Sequence, residues 1–220
     1  MMTMLEPIAG ADLARPAAVL PLLDFAGVAV FAATGALAAA RQKHDVLTLA
    51  FFAAVTGVGG GTLRDLLIGA PVFWVQDWRY IAVCVAVAVA FWTLGARSWR
   101  FRALLWLDAV GLAAYGVMGA AKSASYGVAP LICIVMGVLT ACFGGIVRDV
   151  LAGQPSILLR RELNITAALV SAGLFVGLKA ASVPIWPAVG AGLAAGLLLR
   201  AGALMWGWSL PAFPSAASRY

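Results

Sequence analysis

The sequence predicts an all-α integral membrane protein with seven transmembrane helices, and three observations carry that prediction. Of its 220 residues 64% are hydrophobic and only 11% charged, with a mean hydropathy of +1.00. A soluble domain of this size carries far more polar surface. The apolar residues are gathered into runs near 20 residues long, each enough to cross a hydrocarbon core of about 30 Å as a helix. Finally, Thr56-Gly57-Val58-Gly59-Gly60-Gly61-Thr62-Leu63-Arg64-Asp65-Leu66-Leu67-Ile68-Gly69-Ala70-Pro71 returns 84 residues later as Thr140-Ala141-Cys142-Phe143-Gly144-Gly145-Ile146-Val147-Arg148-Asp149-Val150-Leu151-Ala152-Gly153-Gln154-Pro155.

In chain order the spans are expected at about 19–40, 46–69, 80–96, 103–121, 127–153, 163–181 and 185–206. The runs are continuous and lack inside/outside alternation, which argues against a β-barrel. Asp45 is placed to cap the second span, and Pro184 and Pro187 introduce the seventh. The opening Met1-Met2-Thr3-Met4-Leu5-Glu6 has no basic n-region and no small-residue cleavage site, so no signal peptide is expected. The polar tail after Trp208 is expected to be disordered.

The 84-residue register is longer than the glycine motif. Leu23-Asp24 matches Leu107-Asp108, Gly27 matches Gly111, and Gly35-Ala36 matches Gly119-Ala120. The chain therefore reads as one membrane domain, 1–220, made of a repeat at 20–96, a second at 104–181 and a seventh helix at 185–206. Three spans per repeat force the second copy to enter from the opposite face, so the repeats are expected to be inverted.

A formal charge of +6 raises nucleic acid as a partner, but the basic residues cluster in short inter-helix loops, so no nucleic acid is expected. One membrane side carries Arg41, Lys43, Arg97, Arg100, Arg102, Arg160, Arg161 and Arg200, and the other Arg15, Arg64, Arg79, Lys122 and Lys179. The positive-inside rule puts the N-terminus outside and the C-terminus in the cytoplasm. Cys84, Cys133 and Cys142 lie in apolar runs without CxxC spacing and read as small buried hydrophobes. Trp74, Trp78, Trp99, Trp106, Trp186, Trp206 and Trp208 fall near span ends as interfacial anchors. His44, the single histidine, reads as a solvated loop residue. With no nucleophile–base constellation and no metal cluster, neither an enzyme nor a cofactor is expected.

The polar residues inside the spans are the candidate site. Asp24 and Arg64 are expected at one depth near the outer surface, Asp108 and Arg148 at the matching depth near the inner one. Intramembrane charges are costly and face partners or water, so Asp24–Arg64 and Asp108–Arg148 are predicted as ion pairs. Glycine disfavours helix by about 1 kcal/mol relative to Ala, and non-helical backbone at membrane depth survives where it is buried or lines water. Gly59-Gly60-Gly61 and Gly144-Gly145 are accordingly predicted to break or bend spans 2 and 5. Gly173-x-x-x-Gly177 and Gly192-x-x-x-Gly196 are assigned to helix packing.

Paired Gly-Gly-x-x-Arg-Asp motifs, three-plus-three inverted repeats and a seventh helix resemble the trimeric intracellular cation channels, specifically their bacterial members. The resemblance covers about residues 20–206. It implies a homotrimer in a bacterial inner membrane, each protomer carrying a pore for monovalent cations, chiefly potassium, bounded by spans 2 and 5. Carried over by motif, the pore and gating residues are Gly59, Gly60, Gly61, Arg64 and Asp65 with Gly144, Gly145, Arg148 and Asp149. Animal members carry Lys-Glu where this chain has Arg64-Asp65 and bind phosphoinositide between protomers; here the partners expected are cations and membrane lipids. In such a pore the aspartates neutralise the arginines, and Thr34, Thr56, Ser123, Thr140, Thr166 and Ser171 are plausible lining. The alternative is a secondary transporter of a small amino acid such as glycine, since inverted repeats and broken helices serve transporters equally.

Overall fold

The structure, a computed structural model, describes residues 19–95, 101–156 and 163–210. Arg15, Arg97, Trp99, Arg100, Arg160, Arg161, the opening six residues and most of the tail after Trp208 lie outside the described residues. The described chain forms eight helices: α1 (Val19–Arg41), α2 (Val46–Leu67), α3 (Phe73–Gln76), α4 (Arg79–Leu94), α5 (Phe101–Ser125), α6 (Pro130–Leu151), α7 (Asn164–Ala180) and α8 (Ile185–Trp206). Five of them, α1, α2, α5, α6 and α8, are long and apolar enough to cross a membrane. Helices α4 and α7 are apolar but shorter, at 16 and 17 residues. The protein is an all-helical membrane protein. The single turn α3 was not foreseen; the apolar stretch after Arg64-Asp65 folds back instead of prolonging the second span.

Local chemistry sets the helix ends. The Asp45 carboxylate accepts from the Thr48 N–H at 2.8 Å and caps α2, and Pro130 opens α6, where its missing N–H costs nothing. The ends of α2 and α6 are alike. Gly69 and Gly153 take positive φ, +69° and +58°, letting Ala70 N–H reach the Asp65 carbonyl at 2.8 Å and Gln154 N–H the Asp149 carbonyl at 3.0 Å. Pro71 and Pro155 then follow, so the repeated Gly-x-Pro is a helix stop.

The glycine motifs do not break their helices. α2 runs unbroken through Gly59-Gly60-Gly61, and α6 through Gly144-Gly145. What these glycines supply is close approach. A methyl group on Gly60 would collide with the Thr140 carbonyl oxygen, and one on Gly144 would lie 2.5 Å from that of Thr56. Backbone-on-backbone contact of this kind, open only to small residues, outweighs their poor helix propensity. The contacts are reciprocal: adding 84 to Gly60 and subtracting 84 from Thr140 turns one into the other. Gly27 against the Tyr115 ring and Gly111 against the Phe31 ring, 2.7 and 2.8 Å from an added methyl, are exchanged in the same way. Because Thr56 meets Gly144 while Gly60 meets Thr140, α2 and α6 pass in opposite senses.

Around this crossing α4 packs on α1 and α2 as α7 packs on α5 and α6, and α8 covers α5 and α7. Gly192 and Gly196 lie against Ser171 and Ala167 of α7, a packing role, but Gly173 and Gly177 have nothing within 4 Å of an added methyl and pack on no helix here. The three cysteines are buried and unpaired. Arg200, counted above with the cytoplasmic loop charges, is instead fully buried in α8.

Candidate functional site

From the middle of the α2–α6 crossing, near residues 58 and 142, Arg64 and Arg148 each lie six residues further along. A helix rises about 1.5 Å per residue, so each guanidinium is carried roughly 9 Å from the crossing, in opposite directions. The result is one buried charge cluster at either end of the contact.

At the first end Arg64 and Asp65 are 1% and 0% exposed. Arg64 directs both Nε and Nη2 to Asp65 Oδ1 at 2.8 Å. The other oxygen, Oδ2, accepts from Lys122 Nζ at 2.8 Å and from the Phe73 N–H at 3.1 Å. Helix α3 is thus a cap over the end of α2. Its Phe73 ring lies over Gly61, Trp74 Nε1 donates to the Thr62 hydroxyl at 2.8 Å, and Lys122 Nζ stands 5.7 Å from the centre of the Phe73 ring. Tyr80 stacks on Phe25 at 4.0 Å and donates its hydroxyl proton to Asp24 Oδ2 at 3.0 Å.

At the second end Arg148 bridges. Its Nε donates to Asp149 Oδ1 at 2.9 Å and its Nη1 to Asp108 Oδ1 at 2.9 Å. Nη2 is buried without a hydrogen-bond partner among the described residues, beside Gly145, in a small recess whose wall includes Asp108, Cys142, Asp149 and Ser156.

The structure therefore brings Asp108 and Arg148 together but does not pair Asp24 with Arg64. The adjacent Asp65 accepts from Nε and Nη2 of Arg64, and Asp24 accepts from a phenol on α4. Lys122, read as a loop charge, belongs to the first cluster because α5 continues to Ser125. Tyr80, Phe73 and Trp74 were also missed. The hydroxyls proposed as lining mostly satisfy backbone carbonyls: Thr34 to Phe31 at 2.8 Å, Ser123 to Gly119 at 2.9 Å, Thr140 to Met136 at 2.6 Å and Ser171 to Ala113 at 2.7 Å. The Thr56 hydroxyl is buried and has no partner among the described residues. Outside the spans, Asp77 binds the exposed Arg79 guanidinium at 2.6 Å. That side chain, then the Arg79 N–H, holds the Asp77 carboxyl below the usual carboxylate range.

An all-helical apolar bundle with a backbone-tight crossing and a buried Arg–Asp cluster at each end defines a membrane protein that holds charge inside its helical core. Comparison with known proteins names the class. A family model described as "Glycine transporter" matches residues 21–96 and 105–180. The chain is 39% identical to a UPF0126 membrane protein of Vibrio cholerae over 208 residues, 92% of this chain and 86% of that one. It is 36% identical to the UPF0126 inner membrane protein YadS of Escherichia coli over 195 residues, 87% and 94% of the two chains. Among solved structures, the trimeric intracellular cation channel orthologue from Rhodobacter sphaeroides superposes with a TM-score of 0.83 at 49% identity, covering 86% of this chain and 99% of that one. A TRIC cation channel solved to explain conductance superposes at 0.79 with 26% identity, covering 90% and 98%. The chain belongs to the trimeric intracellular cation channel family, as a bacterial member.

Proposed function

We propose that this chain is a cation channel of a bacterial inner membrane, permeable to potassium and other monovalent cations. Its neighbours in fold are TRIC cation channels, at up to 49% identity, and the curated relatives are membrane proteins. The pore runs within each protomer, along the α2–α6 crossing, and the protein assembles as a homotrimer. The five long apolar helices and the shorter α4 and α7 all span, in two inverted repeats of three plus α8, with the N-terminus outside; the reciprocal glycine contacts support the inversion of the repeats. The observation that carries the reading is the placement of Arg64–Asp65 and Arg148–Asp149, buried at opposite ends of the backbone-close α2–α6 crossing.

Cation passage beside arginines is consistent because each guanidinium is neutralised by an adjacent aspartate. The arrangement described above is a closed state, with backbone packed on backbone between the clusters. A guanidinium displaced through the membrane field responds to voltage at about 2.3 kcal/mol per charge per 100 mV, which makes the Arg–Asp pairs the gates. Purified protein in planar bilayers under asymmetric potassium chloride is expected to give discrete unitary currents reversing near the potassium potential. Silent bilayers together with saturable amino-acid uptake in liposomes would overturn the channel in favour of a glycine-type transporter.

A further inference from the structure

The two charge clusters match in residues and differ in contacts. Asp24, Arg64 and Asp65 stand 84 positions before Asp108, Arg148 and Asp149. In the second half the arginine joins two helices, holding Asp149 with Nε while Nη1 reaches Asp108 on α5. In the first half the same Nε contact exists, to Asp65 at 2.8 Å, but the guanidinium stays on that one carboxylate. Asp24 on α1 then has a neutral hydroxyl, that of Tyr80, as its hydrogen-bond donor among the described residues.

We propose that Asp24 is a second seat for the Arg64 guanidinium, that Tyr80 guards it, and that movement of Arg64 into it switches the first end of the α2–α6 crossing. The inference rests on the channel reading for its consequence, though not for its geometry. Arg64 is the foremost neighbouring charge acting on Asp24, ahead of Lys122 and Asp65. The move keeps Nε on Asp65 and turns an Nη toward α1, the arrangement that Arg148 already adopts. The Tyr115 hydroxyl, buried and without a partner among the described residues, lies within electrostatic reach of Asp24 and Arg64 and offers a hydrogen bond to the rearranged groups. Asp24 would then tie α1 to α2 within the first half, as Asp108 ties α5 to α6 in the second. In the arrangement seen, Lys122 ties α5 to Asp65 of α2 across the halves. Lys122 holds Asp65 Oδ2 while Arg64 holds Oδ1, so the switch adds a tie within the first half to the tie between halves and redraws the contacts of α1 with α2 at that end.

Tyr80 is a positioning residue, and Tyr80→Phe removes its donor while keeping the ring stack on Phe25. A hydrogen bond to a charged group contributes enough that its loss shifts a two-state equilibrium roughly tenfold or more. Y80F is expected to shift the ratio of open to closed dwell times by about that factor, D24N to abolish the shift, and Y80F/D24N to behave as D24N. A Y80F channel with wild-type dwell times, or a Y80F effect that persists in the D24N background, overturns the proposal. Solid-state NMR of arginine-15N, aspartate-13C protein in lipid bilayers reads the geometry without currents. A contact between the Arg64 guanidinium and Asp24 Cγ should strengthen in Y80F relative to wild type, and its absence in Y80F refutes the second seat. A wild type that is silent in bilayers would sink the channel reading, and the NMR contact would still decide the seat.

Discussion

Alanine at Gly59 and alanine at Gly60 separate close packing from a broken helix. Both substitutions raise the helix propensity of α2 by about 1 kcal/mol, so that gain cancels when the two variants are compared. What differs is space. An added methyl at Gly59 has the Gly144 Cα as its nearest neighbour, at 4.0 Å, an ordinary contact. At Gly60 it meets the Thr140 carbonyl oxygen, a backbone atom that no rotamer change can move. The second half repeats the contrast: a methyl at Gly145 sits 3.5 Å from Asp108 Oδ1, whereas one at Gly144 sits 2.5 Å from the Thr56 carbonyl oxygen. Ordinary C···O contacts begin near about 3.3 Å, so α2 and α6 must part by roughly 0.8 Å to admit alanine at Gly144. A gap of that order forfeits about a quarter to a half of the dispersion well for each atom pair it opens, and overpacking of this kind typically costs about 1–3 kcal/mol. G60A and G144A should therefore be less stable than G59A and G145A by about 1–3 kcal/mol. For a chain of this size that is roughly 2–4 °C of melting temperature per kcal/mol, read by thermal unfolding of the purified protein in detergent. If G60A and G59A unfold together, the crossing is not a backbone contact at Gly60 and the packing account fails.

Three further outcomes are expected. Asp108→Ala removes one partner of a buried pair and leaves Arg148 with Asp149; it should cost about 3–5 kcal/mol, more than Asp24→Ala, which loses a phenol, in the same thermal assay. Lys43 holds φ +61° where its counterpart, Gly127, holds +73°; Lys43→Gly removes a left-handed penalty of about 1 kcal/mol and should raise the melting temperature. Asp45 is fully exposed, and the Thr48 N–H it accepts from, followed by the Thr48 hydroxyl, lowers its carboxyl below the ordinary 3.8. A depressed folded value stabilises above the unfolded one and is lost as pH falls through the folded one. Unfolding from neutral pH to below 3.8 should thus show an acid limb that is shallower in D45N, whose amide caps without titrating.

Much of the fold was legible because lipid leaves few choices. Each apolar run that hydropathy picked out holds a helix, five of them long enough to span, and the end of α8 fell at residue 206 as read. The 84-residue register carried through to side chains, since the close approaches of Gly27, Gly60, Gly111 and Gly144 are related by it. The break allowed for at the glycines does not form because propensity is a local quantity: about 1 kcal/mol per residue speaks for a break only when nothing distant compensates. Compensation here lies on a helix 84 positions away. Asp24 was misassigned for a similar reason. Its pairing with Arg64 was argued from depth along the spans, and depth is silent about azimuth and about Tyr80, which arrives from α4. Lys122 lay one residue past the predicted span, where an apolar window ends earlier than the helix, and the Phe73 cap lay in a stretch whose apolar character is shared by spans and lids. Arg200 showed no local signal for burial beyond its position inside an apolar run.

A gapless repeat suggests two equivalent ends, and the physical reading of the structure is that they are not equivalent. The backbone parts that obey the repeat are the ones lacking side chains to differ: the glycine crossing and the Gly-x-Pro stops. The parts that depart from it are side chains supplied from outside the motif. Tyr80 stands where the second half has Asn164, and Lys122 stands where the first half has Ala38. Each substitution acts on the same aspartate–arginine pair. Lys122 draws Asp65 toward α5, and Tyr80 occupies Asp24, so Arg64 is left with a single carboxylate, whereas Arg148 spans two. The repeat supplies the shared frame, and two residues outside the repeated motif make its two charge clusters differ.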